Sequence, residues 1–463
     1  MFRLFQWVDA KPWYKGCISF KKFFLSSNRY KTNDVIALVS TKKQTAMTSI
    51  ARTAFYMKTA SFFQSVLVIA ATLLLLWAAL GCNSNGPTPT GEDVKISTNF
   101  AGRTDDFAFE FFKKLNDQET PDKNVFVSPL SLHMALGMLV NGANGQTADE
   151  IQKTLKLNGL SLSESNATYL KLMEGLPKVD PKVTLGLANS VWNRDTFKPE
   201  TDFVNILKES FKAEASQFSG SDASPLNTWA SNKTNGKIKK VLDTIEPQMV
   251  LFLMNALYFK GDWTTSFDEK KTSDYPFQLA NNQTKNVKMM QLKSKLSFAN
   301  RDGYFAYELP YGNGRYAMTV LVPTGTKGIN ELVTKLTADE WNQLQQGLKE
   351  VENLQIGLPR FTLEYEVILN EILKKMGMPT AFIPNVADLT KINKAGNLNL
   401  GFVKQNTFVA VDEKGTEAAA VTTIGVELTS LPQTYYADRP FVFIISEKSS
   451  DTVLFMGKMV KPS

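Results

Sequence analysis

The sequence predicts an α+β fold built mainly on antiparallel sheets. Two observations carry this prediction: apolar residues recur at helical spacing in the first third of the chain's main body, and strand-like runs dominate its last third. Runs of helices followed by runs of strands are typical of α+β proteins, whereas parallel sheets need strands and helices in regular alternation. Because residues 94–463 contain no internal repeat and no linker-like change of composition, we expect one large domain there.

Helix signals come from apolar spacing and from capping motifs. Between Asp105 and Leu115 the phenylalanines and leucine follow near-helical spacing. The segment Thr147–Glu150 has the form of a capping box, with Thr147 as the N-cap and Gly159 ending the helix that it opens. The segment Thr337–Glu340 repeats the motif immediately before Trp341, which predicts a second capped helix.

Strand signals are runs rich in β-branched and aromatic residues bounded by turn-forming residues. Seven runs qualify: Val183–Trp192, Val250–Phe259, Tyr316–Val322, Phe361–Tyr365, Phe402–Asp412, Phe441–Ile445 and Val453–Phe455. Because these runs are not separated by regular helical patterns, they favour hairpins and antiparallel pairing over parallel β-α-β units.

Charge is distributed unevenly along the chain. The 463 residues are 43% hydrophobic and 21% charged, with a formal net charge of +7. Residues 1–81 carry 11 basic and 2 acidic side chains, so the rest of the chain has 41 basic and 43 acidic ones. Nucleic-acid binding needs a clustered cationic face. The body offers no such excess, so we expect no nucleic-acid partner.

The N-terminal region has the pattern of an export signal. Residues 59–82 contain no charged side chain, Arg52 and Lys58 precede this run, and Ala79–Cys82 resembles the lipobox of bacterial lipoproteins. We predict a signal peptide over residues 57–82 with lipidation at Cys82. An uncleaved signal anchor is the alternative, because the run is long enough to span a bilayer. Either way the body would be exported, as a lipoprotein facing the periplasm or cell exterior, or as an extracellular protein.

The segments on either side of this signal are predicted to lie outside the folded domain. Residues 1–56 lack the periodicity of a domain and precede a complete-looking signal, which suggests an upstream or non-native extension. Residues 83–93 are rich in Gly, Pro, Asn and Thr and are predicted to form a flexible linker. The folded domain is therefore predicted to cover residues 94–463.

The residues available for catalysis argue against an enzyme. The only histidine, His133, lies in an apolar helical stretch, where a core role is favoured. One histidine excludes a two-histidine zinc site, and any Ser-His-Asp triad would have to use His133. If the upstream extension 1–56, which contains Cys17, is not part of the natural product, Cys82 is the only cysteine. No disulfide is then predicted, and no thiol is left in the body as a nucleophile. No phosphate-binding glycine loop is present. We predict no catalytic residues, no metal and no cofactor.

The segment from Glu413 to Pro432 is competent to form a strand although it contains many small residues. Read at period two from Thr416, one face is small and then aliphatic, and the other carries Glu417 and Glu427. An ordinary sheet strand explains this pattern by itself. Gly415 and the alanines after it would also let the segment enter a sheet with little steric cost.

Short motifs along the body resemble those of one family in the same order. Glu413–Ala420 resembles the hinge of the reactive-centre loop of inhibitory serpins. The other motifs resemble the start of helix B, the helix F region, the central strand that ends in the breach tryptophan, and three later signatures; they are 124–131, 227–238, 255–263, 358–361, 438–441 and 454–458. They are spread along nearly the whole body, residues 94–463, which is about 370 residues long. The chain is therefore identified as similar to inhibitory, antitrypsin-type serpins.

The resemblance implies a fold and a mechanism. It implies a large, mainly antiparallel central sheet with additional sheets, about eight to nine helices and an exposed reactive-centre loop. Serpins trap serine endopeptidases as suicide substrates: the loop is cut, and it inserts into the central sheet while the protease is still bound covalently. A non-inhibitory serpin acting as a binding or carrier module is the alternative. Such proteins usually depart from the family at the hinge, whereas this hinge keeps the inhibitory pattern.

Site residues follow from the same resemblance. The hinge comprises Glu413, Gly415, Thr416, Glu417, Ala418, Ala419 and Ala420. The reactive bond is placed at Thr429–Ser430, with Leu428–Thr429 as the fallback. The shutter and breach, which control opening of the sheet, would contain Ser128, Ser131, Asn255, Trp263 and Gln405.

Two further expectations concern partners and a departure from the family. The residues at the reactive bond favour elastase-, subtilisin- or chymotrypsin-like proteases over trypsin-like ones, and papain-like cysteine proteases stay open as targets. The chain is expected to be a monomer, with the membrane as a second partner through its lipid. Gln405 stands where many serpins carry a histidine that bonds in the shutter to the counterparts of Asn255 and Ser128.

Overall fold

The computed structural model describes residues 91–281, 283–325, 328–416 and 434–462, all of them within one compact unit. In this part of the chain there are nine α-helices, in agreement with the predicted number. They are α1 (Thr98–Gln118), α2 (Pro129–Val140), α3 (Gly145–Thr154), α4 (Leu162–Gly175), α5 (Thr201–Phe211), α6 (Ser224–Lys233), α7 (Ile329–Lys335), α8 (Ala338–Gly347) and α9 (Asn370–Lys375).

The strands form two sheets, which confirms the α+β class. Those of the larger sheet are β1 (Val125–Val127), β5 (Ser273–Gln278), β6 (Thr284–Arg301), β7 (Tyr304–Tyr311), β8 (Tyr316–Pro323), β9 (Lys349–Pro359), β13 (Thr434–Tyr436), β14 (Phe441–Glu447) and β15 (Thr452–Met459). Its order is β1-β15-β14-β8-β7-β6-β9-β13, with β5 also paired to β6.

A six-stranded sheet forms the second layer, in the order β10-β11-β12-β4-β2-β3. All of its pairings are antiparallel except that between β2 and β3. Its strands are β2 (Val183–Arg194), β3 (Glu214–Phe218), β4 (Leu251–Asp262), β10 (Phe361–Ile368), β11 (Lys404–Val411) and β12 (Gly415–Thr416). All seven strand-like runs of the sequence are strands, with ends shifted by a few residues, and the mainly antiparallel pairing is confirmed.

The predicted capping box at Thr147 is wrong. Helix α3 begins at Gly145 with Asn144 as its N-cap, so Thr147 lies inside the first turn, and the helix ends at Thr154 rather than at Gly159. The Thr147 hydroxyl instead accepts a hydrogen bond from the Asp388 backbone N–H at 2.9 Å. The side chain that the local pattern assigned to a helix cap therefore makes a hydrogen bond to a residue distant in sequence instead. At Thr337 the prediction is confirmed, since its hydroxyl accepts from the Glu340 N–H at 3.1 Å.

His133 is a core residue, as predicted. It is 1% exposed on α2, with Nε2 3.1 Å from the Leu155 carbonyl oxygen and Nδ1 2.9 Å from the Tyr169 hydroxyl. Burial lowers the pKa of His133 to about 4, against the smaller, opposing effect of the bond to Leu155. The ring is therefore neutral near pH 7, and both of its nitrogens take part in hydrogen bonds inside the core.

The described end of the predicted linker is fixed to the body. The Arg315 guanidinium lies 2.9 Å from the Asp93 carboxylate and donates to the Gly91 carbonyl. Val94, the next residue, is buried and donates its N–H to the Ser449 hydroxyl at 2.9 Å. Within the described ranges, no helix has the length and apolar character needed to cross a membrane.

Candidate site at the centre of the six-stranded sheet

The six-stranded sheet is divided between β4 and β11. Each of these strands is fully paired on its outer side, β4 with β2 from Gly261 to Leu251 and β11 with β10 along its whole length. On their inner sides, the described residues bridge them only through β12, whose two residues pair at one end. Both inner edges thus carry backbone hydrogen-bonding groups that could pair with a further strand.

β12 enters the sheet through a tight turn from β11. The Asp412 carboxylate accepts the N–H groups of Lys414 and Gly415 at 2.9 and 3.2 Å, and the Asp412 N–H donates to the Gly415 carbonyl at 3.0 Å. Position 415 has no room for a side chain, because a Cβ there would lie 2.2 Å from the Gly261 carbonyl oxygen. Glycine is therefore required for β12 to approach β4 so closely.

Thr416 shows which face of β12 points into the core. It is 3% exposed, and its hydroxyl shares a 2.8 Å hydrogen bond with the hydroxyl of Tyr311. The Tyr311 ring stacks on Trp263 with centroids 4.4 Å apart. Burial raises the pKa of Tyr311 above its ordinary value, so this hydroxyl stays protonated and available as a donor.

Hydrogen bonds from Trp263 and to the Glu413 side chain hold the turn in place. The Trp263 indole N–H donates to the Asp412 carbonyl at 2.9 Å, and its backbone N–H donates to the Lys414 carbonyl at 2.8 Å. The Glu413 carboxylate accepts from the Thr272 hydroxyl at 2.6 Å and from Arg360 at 2.5 Å. Burial would raise the pKa of Glu413, but these hydrogen bonds outweigh it and lower the pKa below the ordinary value. The carboxylate is therefore ionised and paired.

Ser128, Ser131 and Gln405 come together beneath the opening. Gln405 bonds to both backbone groups of Ser128: it accepts from the N–H at 3.0 Å and donates to the carbonyl at 2.9 Å. The Ser128 hydroxyl accepts from the Ser131 N–H at 3.1 Å, which caps α2, and donates to the Leu454 carbonyl at 2.8 Å. Gln405 thus connects β11 to the start of α2.

Asn255 is close to this group but is not bonded to Gln405. Its amide donates to Asn189 Oδ1 at 2.7 Å, while its own Oδ1 is buried without a hydrogen-bond partner. The three-residue network implied by the resemblance is therefore split into a Gln405–Ser128 half and an Asn255–Asn189 half. The Gln405 amide bonds to both backbone groups of Ser128 with one donor and one acceptor, and Asn255 Oδ1 receives no hydrogen bond from it.

A cavity of about 310 Å³ continues the opening below β12. It passes through the sheet, since its walls include α2 on one side and α6 on the other. Residues of β4, of β11 and of the segment before β11 complete it, among them Leu253, Asn255, Phe402 and Gln405. No group of three or more His, Cys, Asp or Glu side chains in the described part of the chain is arranged to hold a metal ion.

The remaining predicted residues lie outside the described ones. These are Glu417, Ala418, Ala419, Ala420, Leu428, Thr429 and Ser430 in the loop, and Cys82 in the leader. The sequence reasoning did not assign site roles to Tyr311, Thr272, Asn189 or Arg360. Only Arg360 had a local signal, because it belongs to the Leu-Pro-Arg-Phe motif at 358–361. The other three are brought to the site by segments distant in sequence: Tyr311 and Asn189 by strands, and Thr272 by the turn before β5.

Comparison with known proteins matches this architecture to one family. The family model described as "Serpin (serine protease inhibitor)" matches residues 103–462. The leukocyte elastase inhibitor of Xenopus laevis is 33% identical over 371 residues, covering 77% of this chain and 97% of that protein. The native state of tengpin, a thermophilic serpin, matches with a TM-score of 0.72 and 30% identity, covering 80% of this chain and 96% of tengpin.

A third relative in this family binds a small molecule. Human thyroxine-binding globulin complexed with thyroxine matches with a TM-score of 0.72 and 27% identity, covering 79% of this chain and 98% of that one. The two-sheet fold with a divided six-stranded sheet thus defines a protein of the serpin class. The chain belongs to the serpin family.

Proposed function

We propose that this serpin inhibits endopeptidases as a suicide substrate, by inserting its cleaved reactive-centre loop between β4 and β11. The observation that carries the proposal is the opening itself: among the described residues, the inner edges of β4 and β11 are paired only with the two-residue strand β12, at one end. Because Gly415 and Thr416 begin the insertion register, the residues after them need only continue it.

Continuing the register of β12 assigns a partner to each loop residue in the inserted state. Thr416 lies opposite Gly261 and Val411, so Ala418 would lie opposite Phe259 and Val409. By the same count, Ala420 would face Leu257 and Thr407, and Thr422 would face Asn255 and Gln405. Since Thr416 points into the core, the even-numbered residues would follow it there. Those positions are occupied by small or aliphatic residues in the sequence.

The free energy released by insertion would be large. A central strand bonds on both sides, and each bond contributes roughly 0.5–1.5 kcal/mol net, so residues 417–423 would gain on the order of 10 kcal/mol before apolar burial is counted. Deformation of a bound protease requires a driving force of this size. The intact chain would therefore be metastable.

For the target, we propose cleavage at Thr429–Ser430, with Leu428–Thr429 as the fallback, by an elastase-, subtilisin- or chymotrypsin-like protease. A similar relative is named as an inhibitor of leukocyte elastase, which supports the first of these. A threonine or leucine at the acyl position would leave the buried carboxylate of a trypsin-like pocket unpaired. Papain-like cysteine proteases are a further class to test.

The test is adduct formation on denaturing gels with the three protease types. A denaturant-resistant adduct with at least one of them is expected from the intact protein. Ala420→Arg should convert the inhibitor into a substrate, because its guanidinium would be buried unpaired on the core side. Ala419→Arg is the matched control, since its side chain would point to the other face and should leave the adduct. Thr416 is unsuited to this test because it is already buried in the intact protein.

Other results would exclude the inhibitory mechanism. Cleavage near residue 429 without any adduct, in all three cases, would indicate the non-inhibitory alternative, a binding or carrier serpin. An adduct that survives Ala420→Arg unchanged would show that loop insertion is not what traps the protease.

We also propose that the protein is exported and anchored to a membrane through lipidated Cys82. This proposal rests on the uncharged run 59–82 and the Ala-Leu-Gly-Cys sequence that ends it. Mass measurement of the mature N-terminus should show a diacylglyceryl cysteine, and an intact leader would instead indicate the signal anchor.

A further inference from the structure

We infer that Asn158, in the turn between α3 and α4, is a site of spontaneous deamidation and that Arg103 promotes the reaction. The inference is independent of the proposed inhibition, because it involves neither the loop nor the opening between β4 and β11. It rests on three observations: Asn158 precedes a glycine, the N–H of that glycine is unbonded, and a guanidinium contacts the peptide group that joins the two residues.

The reaction joins an asparagine side chain to the next backbone nitrogen. The Gly159 nitrogen loses its proton and attacks Cγ of Asn158; the new Cγ–N bond forms, the Cγ–Nδ2 bond breaks, and ammonia leaves with the proton. Water then opens the resulting cyclic imide. Opening at Cγ gives aspartate, and opening at the main-chain carbonyl gives isoaspartate. Glycine favours ring formation because it has no Cβ to hinder the approach.

The hydrogen bonding of the turn leaves the attacking nitrogen available. The turn is closed by a 3.0 Å hydrogen bond from the Leu160 N–H to the Leu157 carbonyl. At its centre, Gly159 has a φ of 86°, as the third residue of a type II turn requires. Among the described residues, neither the Gly159 N–H nor the Asn158 side chain has a hydrogen-bond partner, and both residues are exposed.

The other asparagine–glycine pairs in the described part of the chain are protected. The nitrogens of Gly142, Gly236 and Gly314 donate to carbonyl groups at 2.7–2.8 Å. At Asn144–Gly145 the asparagine side chain is held instead, because its amide donates to a threonine hydroxyl at 2.8 Å. Asn158 therefore belongs to the pair in which both reacting groups are unbonded.

Arg103 activates the same peptide group. Its Nη1 donates to the Asn158 carbonyl oxygen at 3.0 Å and also to the Lys156 carbonyl. The Asn158 carbonyl and the Gly159 N–H belong to one conjugated peptide group, so the oxygen shares the negative charge when the nitrogen is deprotonated. A guanidinium donor on that oxygen stabilises the charged form.

The same contact favours one of the two products. Arg103 polarises the main-chain carbonyl that water must attack to give isoaspartate. In the isoaspartyl product, the oxygen that Arg103 contacts becomes part of a free carboxylate, which a guanidinium binds more strongly than a neutral carbonyl. We therefore expect isoaspartate to be favoured in the folded protein.

The test follows deamidation by peptide mapping of the intact full-length protein at mildly alkaline pH, in buffer and in urea. In buffer, Asn158 should react about tenfold faster than the asparagines of the protected pairs, because those must first break a hydrogen bond. These are Asn141, Asn144, Asn235 and Asn313. In urea all five should react at similar rates. Equal rates in buffer, or faster reaction at one of the protected pairs, would overturn the inference.

Two variants isolate the role of the guanidinium. Arg103→Gln should slow deamidation of Asn158 about tenfold in buffer and leave it unchanged in urea. Lys153→Gln is the matched control, since it removes an exposed positive charge from the last turn of α3 whose side chain makes no described contact with this peptide. An unchanged rate in Arg103→Gln would contradict the inference.

The product ratio is a measurement that needs no variant. Electron-transfer fragmentation distinguishes isoaspartate from aspartate in the peptide that contains residue 158. The isoaspartyl share should be larger in buffer than in urea, because only the folded chain places Arg103 against the main-chain oxygen. The same share in both conditions would show that Arg103 does not act on this peptide group.

Discussion

At the scale of single residues, Gln405 shows how a substitution can preserve one half of a network and release the other. It bonds to both backbone groups of Ser128, yet Asn255 across the opening keeps an unpaired oxygen. The strand edges on either side of the opening are therefore not connected through these two side chains. We interpret this as a lower resistance to opening than a side chain bridging both strands would give.

Gln405→Ala should lower the apparent melting temperature of the uncut protein by about 2–4 °C. The buried Ser128 N–H would lose its acceptor at a cost of about 1–2 kcal/mol, whereas the Ser128 carbonyl keeps the Leu132 N–H. Asn406→Ala is the control, because that side chain is on the exposed side of the same strand and bonds to Glu366. Equal melting curves for Gln405→Ala and the unmodified protein would remove Gln405 from the set of stabilising residues.

At the scale of elements, the pairing of β12 places the first residues of the reactive-centre loop inside the six-stranded sheet. Both residues of β12 pair with β4, but only Thr416 also pairs with β11. Three contacts hold the turn before them: the indole of Trp263, the Glu413–Arg360 pair and the Asp412 carboxylate. A strand this short is stabilised by its surroundings rather than by its own length. Its position is therefore sensitive to one added methyl group.

Gly415→Ala should displace β12 from the sheet, because the added Cβ would meet the Gly261 backbone at 2.2 Å. Hydrogen exchange of amides in Lys260–Trp263 and Val411–Thr416 should accelerate at least tenfold, and protease trapping should slow. Gly347→Ala, where a Cβ meets nothing within 4 Å, is the control. Unchanged exchange in Gly415→Ala would mean that this close approach does not hold β12 in place.

At the scale of the whole molecule, the proposal requires that the intact fold is not the most stable one. The two sheets and nine described helices enclose an extensive core, yet among the described residues only β12 pairs with the inner edges of β4 and β11. A nicked chain could close that opening without unfolding. Stability would then be governed by a kinetic barrier, not by the depth of the native minimum.

Cleavage in the loop should raise the melting temperature by tens of degrees, because insertion of the cut loop would stabilise the fold by roughly 10 kcal/mol. Calorimetry on intact and nicked protein measures this directly. Nicked Ala420→Arg should gain little, because its loop would stop at the buried arginine. If the nicked protein is no more heat-resistant than the intact one, the proposed insertion mechanism is wrong.

Strands were predicted correctly from the sequence where they keep the same neighbouring strands along their whole length. β11 alternates cleanly and was predicted, as was β4. The long strand β6 was not, because it changes partner along its length from β5 to β9 to β7 and shifts register between Ser294 and Leu296. Each change of partner alters which side chains are buried, so no single period describes it.

The sequence by itself determined the family, the glycine at 415, the small residues after it and the core position of the one histidine, because each depends on local residue type or on a short motif. Only the tertiary structure decided that β4 and β11 stand apart, that Gln405 bonds to Ser128, and that Asn255 is left with a free acceptor. Thr416 and Gly261 are paired although 155 positions separate them in the chain. Such contacts depend on which strands become neighbours, and neighbours are chosen by the packing of the whole core, not by the pattern of any one segment.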